Sequence, residues 1–429
     1  MEGWKEIVLD SQSTYIKGRI GWQGLKASEF LEEGPYLVTG TDFLNGDVIW
    51  DTCYHISESR FKEASYIHLQ NDDLLITKDG TIGKVAYVKN CPSKAVLNSG
   101  IFLVRCIDNS YLHKFLFYVL NSEHFIKFLL DNQGGSTIKH LYQRSFVKFS
   151  FNAPIDLNEQ KKITEILSEL DKGILQTEQL ITKYKNIKRG LMQDLLTFGI
   201  DENGSIRKLQ THYFVEKMGV LVPHEWDVKR IDELASVTGG KRLPEGHAYS
   251  AINTGFRYLR VTDFYNKKVD YANLENIEKR TFNKLERYEI LPSDLFISIA
   301  GSIGYIGVNK PDISDRIILT ENALRISVYE KIIPDFLSMQ MNSEVVQKQI
   351  WAEIGTGGGV PKLAKHRVES LYIPYPKWNG KYDEQKKIVS ILEQQDKLID
   401  SEQTNLNKLQ MLKQGLMQDL LTGKVRVNL

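Results

Sequence analysis

The eight-residue string GLMQDLLT occurs twice, at 190–197 and at 415–422, an offset of 225 positions. Extended backwards at that offset, NEQKKITEILSELDKGILQ (158–176) aligns with DEQKKIVSILEQQDKLIDS (383–401), and 20 of the 40 positions from 158 to 197 match their partners. Identity at half the positions over that length marks an internal duplication, so the fold of one half should be repeated by the other. In the first copy a seven-residue spacing links Ile163, Leu170, Thr177, Tyr184 and Leu191, interleaved with Leu167, Ile174, Ile181, Lys188 and Leu195. The second copy gives Ile388, Gln395, Glu402, Leu409 and Leu416 with Leu392, Ile399, Leu406, Lys413 and Leu420, a patchier stripe carrying the same lysine at the same place. This is a helical a/d pattern sustained over several heptads. Neither segment contains proline, so each reads as one helix of about 37 residues, roughly 55 Å long at 1.5 Å per residue.

A stripe with polar interruptions is too polar for a fully buried helix and too apolar to stay bare. Each helix therefore wants one partner along its length, and the obvious partner is its duplicate, in an antiparallel coiled coil. The alternative is that each packs only on its own neighbouring domain. Gly190 and Gly415 sit inside the repeated string, where a helical glycine costs about 1 kcal/mol relative to alanine. Their presence predicts a close approach or a bend.

Weaker correspondences precede each helix. YLVTGTDFLNGDV (36–48) answers YLRVTDFYNKKVD (258–270), DLLITKDGTIGKVAYV (73–88) answers DLFISIAGSIGYIGV (294–308), and GGSTIKHLYQRSFVKFSFNAP (134–154) answers GGGVPKLAKHRVESLYIPYP (357–376). Short β-branched runs punctuated by glycine, as in LLIT-KDG-TIGKVAYV, predict hairpins. Patterns such as YLHKFLFYVLNSEHFIKFLL (111–130) and IPDFLSMQMNSEVVQKQI (333–350) predict helices. The class is α+β, twice over: two mixed α/β domains separated by two long antiparallel helices, related by a pseudo-twofold internal repeat. The expected boundaries are 1–157 for the first domain, 158–197 for the central helix, 198–222 for a linker, 223–380 for the second domain and 381–429 for the C-terminal helix and tail. Helices that match closely between domains that match only at landmarks suggest two readers of different things on one frame.

Composition supports a soluble protein of two or three packed regions, at 42% hydrophobic and 25% charged over 429 residues. No run of eighteen apolar residues exists, and MEGWKEIVLD lacks the basic-then-apolar pattern of a secretory signal. A cytoplasmic location without membrane association is expected. Cys53, Cys91 and Cys106 are odd in number and lack CxxC spacing, which fits neither a disulfide framework nor a zinc site. The net charge is only +1, so binding to a polyanion must come from local basic patches.

The junction LMQDLLTFGIDENGSIR (191–207), the opening LVPHEWDVKRIDEL (221–234) and the end GLMQDLLTGKVRV (415–427) resemble one family in particular, the specificity subunits of type I restriction-modification enzymes. LITKDGTIGKV (75–85) and GRIGWQGLKASEF (18–30) are similar to stretches of that family's target-recognition domains, and the resemblance spans essentially the whole chain in order. It implies a non-catalytic subunit that recognises a bipartite site on double-stranded DNA, one target-recognition domain per half-site. The helices would set the unread gap and dock two methyltransferase subunits, with restriction subunits joining through that complex. The resemblance also implies adenine methylation and DNA cleavage by the partners. S-adenosylmethionine, ATP and Mg would then lie on those partners, with no cofactor or metal on this chain. One departure is that the first domain opens with EGW where the second has PHEW, leaving little N-terminal arm. Half-sites read from one face of B-DNA lie about one turn apart, roughly 34 Å, a spacing a 55 Å rod can span. A scaffold of two protein-binding domains on a coiled coil is the alternative.

The sequence holds no GxxxxGK[ST] loop, no Asn/Asp-Pro-Pro-aromatic motif, no HExxH and no GxSxG. GTGGGVPK (355–362) follows a helical pattern and leads into proline, the reverse of a phosphate loop, and a nuclease reading of DDLLITK (72–78) loses its lysine in the second half, where Ile299 stands. Candidate DNA contacts are basic, amide or hydroxyl residues in glycine-containing loops. In the first domain these are Lys17, Arg19, Trp22, Gln23, Lys26, Lys78, Thr81, Lys84, Ser136, Thr137 and Lys139. In the second they are Lys241, Arg242, Arg260, Thr262, Ser302, Thr356, Lys362 and Lys365. Gly190, Leu191, Gly415 and Leu416 are the candidate partner-docking residues.

Overall fold

The computed structural model describes residues 2–132, 140–265, 268–310, 314–354, 361–377 and 383–428. The chain forms two compact units, residues 1–179 with 403–429, and residues 180–402. The division falls inside both long helices, Leu157–Thr197 and Asp383–Leu421. Their 41 and 39 residues slightly exceed the length expected from the stripe.

In the first unit, strand Trp4–Val8 pairs antiparallel with Ser150–Pro154, so the domain's first and last strands close on each other directly before the central helix. A six-stranded sheet runs in the order Thr14–Gly18, Ile101–Cys106, Leu74–Thr77, Val85–Tyr87, Asp47–Val48 and Phe43–Leu44. Leu74–Thr77 and Val85–Tyr87 form the hairpin expected from LLIT-KDG-TIGKVAYV. The second unit repeats this plan. Trp226–Arg230 pairs with Tyr372–Pro376, and a four-stranded sheet orders Ala235–Gly239, Ala323–Val328, Leu295–Ser298 and Ile306–Val308. Each of the two predicted helical patterns breaks into two helices, His113–Leu120 and Glu123–Asp131, then Pro334–Met341 and Glu344–Ala352. Ser343, whose hydroxyl accepts from the Val346 N–H, is the start signal that interrupts the second pattern.

The apolar stripes reach into the domain cores. Ile163 and Leu167 are buried with Trp4, Phe115, Phe151, Met417 and Leu420 in the first unit. In the second, Leu195, Leu196, Ile388 and Leu392 are buried with Trp226, Phe336 and Ile373. The identical EQ pairs at the helix starts anchor each helix to its domain. Gln160 accepts from the Leu112 N–H and Gln385 from the Ile333 N–H, in each case the residue that caps the next domain helix. Glu159 receives Arg426 at 2.6 and 2.7 Å, while Glu384 receives Arg207, the Ile200 N–H at 3.0 Å and the Trp226 indole N–H at 3.0 Å. The shared stripe lysines have the same role in both units: Lys413 pairs with Asp171 at 2.6 Å in the first, Lys188 with Asp396 at 2.5 Å in the second. Those partners are themselves 225 apart.

Gly190 and Gly415 correct the expectation of a close approach. Both are exposed, and a Cβ added at either would meet nothing within 4 Å. Leu191 and Leu416, by contrast, are partly buried against their units' cores.

Candidate nucleic-acid interface

In each domain a turn between two antiparallel strands is held by one hydroxyl at the end of the first strand. Thr77 Oγ1 accepts from the Lys84 N–H at 2.9 Å and donates to the Thr81 carbonyl. Ser298 Oγ accepts from the Tyr305 N–H at 2.9 Å and donates to the Ser302 carbonyl. The turns need glycine. Gly83 lies at φ +81° with Leu129 Cδ1 only 2.3 Å from where its Cβ would be, and Gly304 lies at φ +82°. That is the physical content of the shared DGTIG and AGSIG strings.

The same edge collects two further segments. Lys78 N–H donates to the Gly100 carbonyl at 2.9 Å, and the Lys78 carbonyl accepts from the Leu141 N–H at 2.9 Å. In the second domain Ile299 N–H donates to Asn322 at 2.8 Å, and its carbonyl accepts from Leu363 at 3.0 Å. Turn, following strand and the segment after the glycine run thus meet at one edge in both halves.

Among the sequence candidates, Thr81 and Ser302 are exposed on the turns, and Lys362 is exposed beside the second one. Lys78 is half-buried with its ammonium 5.0 Å above the Phe102 ring. Lys84 is turned back, its ammonium 3.4 Å from the Gly40 carbonyl. Lys241, Arg242 and Thr262 are exposed, and Arg242, Arg260 and Thr262 line one cavity of about 290 Å³. Lys17 and Lys26 are exposed, on a strand and at the start of a short 3-10 turn. Lys365 is exposed and lies 3.3 Å from Glu369.

Three candidates have their charge or amide occupied internally. Arg19 is 3% exposed, with Nε donating to the Leu97 carbonyl at 2.9 Å, and burial holds its guanidinium below its ordinary pKa. Gln23 is buried between Tyr66 and the Glu63 carbonyl. Arg260 sits between Asp263 and Glu275, each 2.7 Å away, and the hydrogen bond to Asp263 leads the causes that raise its pKa. The glycine-rich context that selected Arg19 and Gln23 cannot distinguish a loop folded inward from one turned out. The side chain of Trp22 and residues Ser136, Thr137, Lys139 and Thr356 lie outside the described residues.

Sequence reasoning passed over Arg144, exposed and 5.1 Å above the Tyr142 ring just after His140. It also missed Glu321, whose carboxylate lies 2.8 Å from Arg242 Nε. A basic residue beside an aromatic one is a signal that could have found the first. The second carries the wrong charge for a search tuned to phosphate.

Nothing in the geometry suggests catalysis by the groups the sequence made conspicuous. Asp73 of DDLLITK is tied to Arg105 and to the Gln70 N–H, and its partner Asp294 accepts from the Leu291 N–H. No group of acidic, histidine or cysteine side chains able to hold a metal ion occurs among the described residues. Nor is any described helix long and apolar enough to cross a membrane.

A family model described as the type I restriction modification DNA specificity domain matches residues 1–188 and 223–411. The MjaVIII type I restriction enzyme specificity subunit of Methanocaldococcus jannaschii is 25% identical, covering 99% of this chain and 94% of that one. The EcoBI type I restriction enzyme specificity subunit of Escherichia coli is 24% identical, covering 99% and 86%. Among solved structures, the type I restriction-modification system S subunit from M. genitalium superposes with a TM-score of 0.57 at 14% identity, covering 97% of this chain and 96% of that one. A chain from a structure of type I R-M complex assembly and conformational transition gives 0.57 at 13% identity, covering 99% of both. These two show a shared fold. The two-domain match sets the scaffold alternative aside: this chain belongs to the type I restriction-modification DNA specificity family, whose members recognise DNA sequence and are themselves non-catalytic.

Proposed function

We propose that this subunit reads a bipartite duplex target, with residues 1–157 and 223–380 each presenting the turn edge described above to one half-site. The observation supporting that edge is its recurrence: two domains of divergent sequence keep the same hydroxyl-clamped glycine turn and the same strand junction beside it. Exposed hydroxyls and backbone amides there suit phosphate oxygens, and Lys78 and Lys362 supply the charge that steers and holds the duplex. The contact set is Lys78, Thr81, Lys241, Arg242, Thr262, Ser302 and Lys362, with Arg19, Gln23 and Lys84 serving to hold the loops.

The helices 158–197 and 381–429, with the linker 198–222, form the frame. The paired lysine–aspartate bridges at 225-residue spacing support an antiparallel coiled coil with pseudo-twofold symmetry. Its length sets the unread gap. Two methyltransferase subunits dock on the exposed glycine faces, where Ile187 and Leu412, also equivalent in the repeat, are 40% and 50% exposed one turn before Gly190 and Gly415. Restriction subunits join through that complex, and S-adenosylmethionine, ATP and Mg serve those partners, in the cytoplasm.

The test is duplex binding by the reconstituted methyltransferase–specificity complex as salt is varied. Lys78→Ala and Lys362→Ala weaken binding to matched and unmatched DNA alike, each lowering the slope of log affinity against log salt by about one. Unchanged affinity and slope in both variants would remove this edge from the interface.

A further inference from the structure

The second domain contains an arginine that is exposed at its tip and fixed at its base. The backbone leading to it is fixed. Gly240 has no room for a side chain, with the Thr320 carbonyl 2.0 Å from where a Cβ would lie, and Lys241 N–H donates to the Leu319 carbonyl at 2.9 Å. The Lys241 carbonyl in turn accepts from Tyr258 Oη at 2.9 Å. Arg242 then projects into solvent, its side chain 79% exposed, with Nε alone engaged, on Glu321 Oε1 at 2.8 Å. The other carboxylate oxygen of Glu321 accepts from Thr320 Oγ1 at 3.0 Å, so this anchor is itself held; the Tyr258 hydroxyl, whose one proton goes to the Lys241 carbonyl, lies 3.3 Å from it. Among the described residues the two terminal nitrogens of Arg242 have no protein partner.

An arginine gripped at Nε keeps its outer pair of nitrogens as a preset planar fork. Two parallel donors of that kind match the O6 and N7 acceptors that guanine shows in the major groove. A phosphate-binding side chain has no need of a carboxylate behind it, since the carboxylate offsets the charge that attracts phosphate while improving orientation. The pair also lies where a reader should be. Glu321 adjoins Asn322, whose carbonyl receives the Ile299 N–H at the start of the exposed turn. Counted by strand register, the first domain has Gly21 in place of Arg242 and Ser99 in place of Glu321. The pair therefore belongs to one domain only, as a determinant of one half-site should.

We infer that Arg242, positioned by Glu321, reads a guanine in the half-site recognised by the second domain. This rests on the turn-edge interface proposed above. Its test is the methylated motif produced by the full complex, mapped in cells lacking other adenine methylation. With the unaltered chain, one half-site contains the guanine. Arg242→Ala lowers discrimination for guanine at that single position roughly tenfold to a hundredfold, leaving every other position of both half-sites as before. Glu321→Gln relaxes the same position to a smaller extent with the arginine intact, a change in specificity that loss of general stability does not produce. An unchanged motif with Arg242→Ala overturns the inference. So does a uniform loss of methylation across all sites in a variant that melts and assembles like the parent, which would make Arg242 a phosphate contact. If the Lys78 and Lys362 variants weaken binding while the Arg242 motif stays fixed, the interface stands and only the guanine assignment falls.

Discussion

Glu384 concentrates three donors on one carboxylate: Arg207, the Ile200 amide and the Trp226 indole. Arg207 is only 10% exposed at its side chain, so removing the acceptor leaves this cation with Glu225 alone, 3.4 Å from its Nε, and deprives the indole N–H of its partner. Glu384→Ala should cost about 2–4 kcal/mol, measured by denaturant unfolding. Its repeat equivalent Glu159 serves an arginine that is about half exposed, and the Trp4 indole N–H has no protein partner in the first unit. Glu159→Ala should therefore destabilise less, and equal losses would contradict this reading of the two carboxylates. Identical letters in the repeat thus carry unequal loads. The stripe lysines show the reverse, since Lys188 and Lys413 looked like interruptions of an apolar pattern and are matched by aspartates at the facing positions. Pairs this exposed contribute about 0.2–1 kcal/mol, enough to favour one register and too little to hold the frame.

At the scale of elements, the long helices and the glycine hairpins were legible because periodicity and turn chemistry are local. DGTIG requires positive φ at its glycines, and the helix stripe repeats without proline, so each could be read from neighbouring letters alone. The break of each domain helix into two was not legible from apolar spacing, which continues across Ser343. Nor was the fate of the 18–30 segment, where Arg19 and Gln23 fold inward onto partners 40 to 78 positions away. The helical glycines belong to this scale too. With open space around both, Gly190→Ala and Gly415→Ala should each stabilise the isolated chain by about 0.5–1 kcal/mol. If that face receives a methyltransferase subunit closely, the same substitutions weaken assembly of the complex. Gel-filtration assembly unaffected by both changes would mean that docking uses another face.

For the whole molecule, the duplication separates what must be common from what must differ. Anchors at Glu159, Gln160, Glu384 and Gln385 recur because both halves need the same join between domain and helix, and the bridging lysines recur because each end of the helices needs the same link between them. The Arg242–Glu321 pair has Gly21 and Ser99 in its place in the first domain, which is what the proposal of two domains reading different sequence requires. The frame was visible in the sequence as identity. The proposed reading surface was visible only in outline, because its members come together from segments far apart in the chain and some basic residues in glycine-containing loops, Arg19 among them, point inward. The most direct test lengthens the frame without touching either reader. One heptad inserted at equivalent places in both long helices keeps the stripe in phase and adds about 10 Å. Mapping of methylated adenines should then show both half-sites unchanged and the gap between them longer by about three base pairs. The original gap, or altered half-sites, would contradict the division of labour between domains and helices.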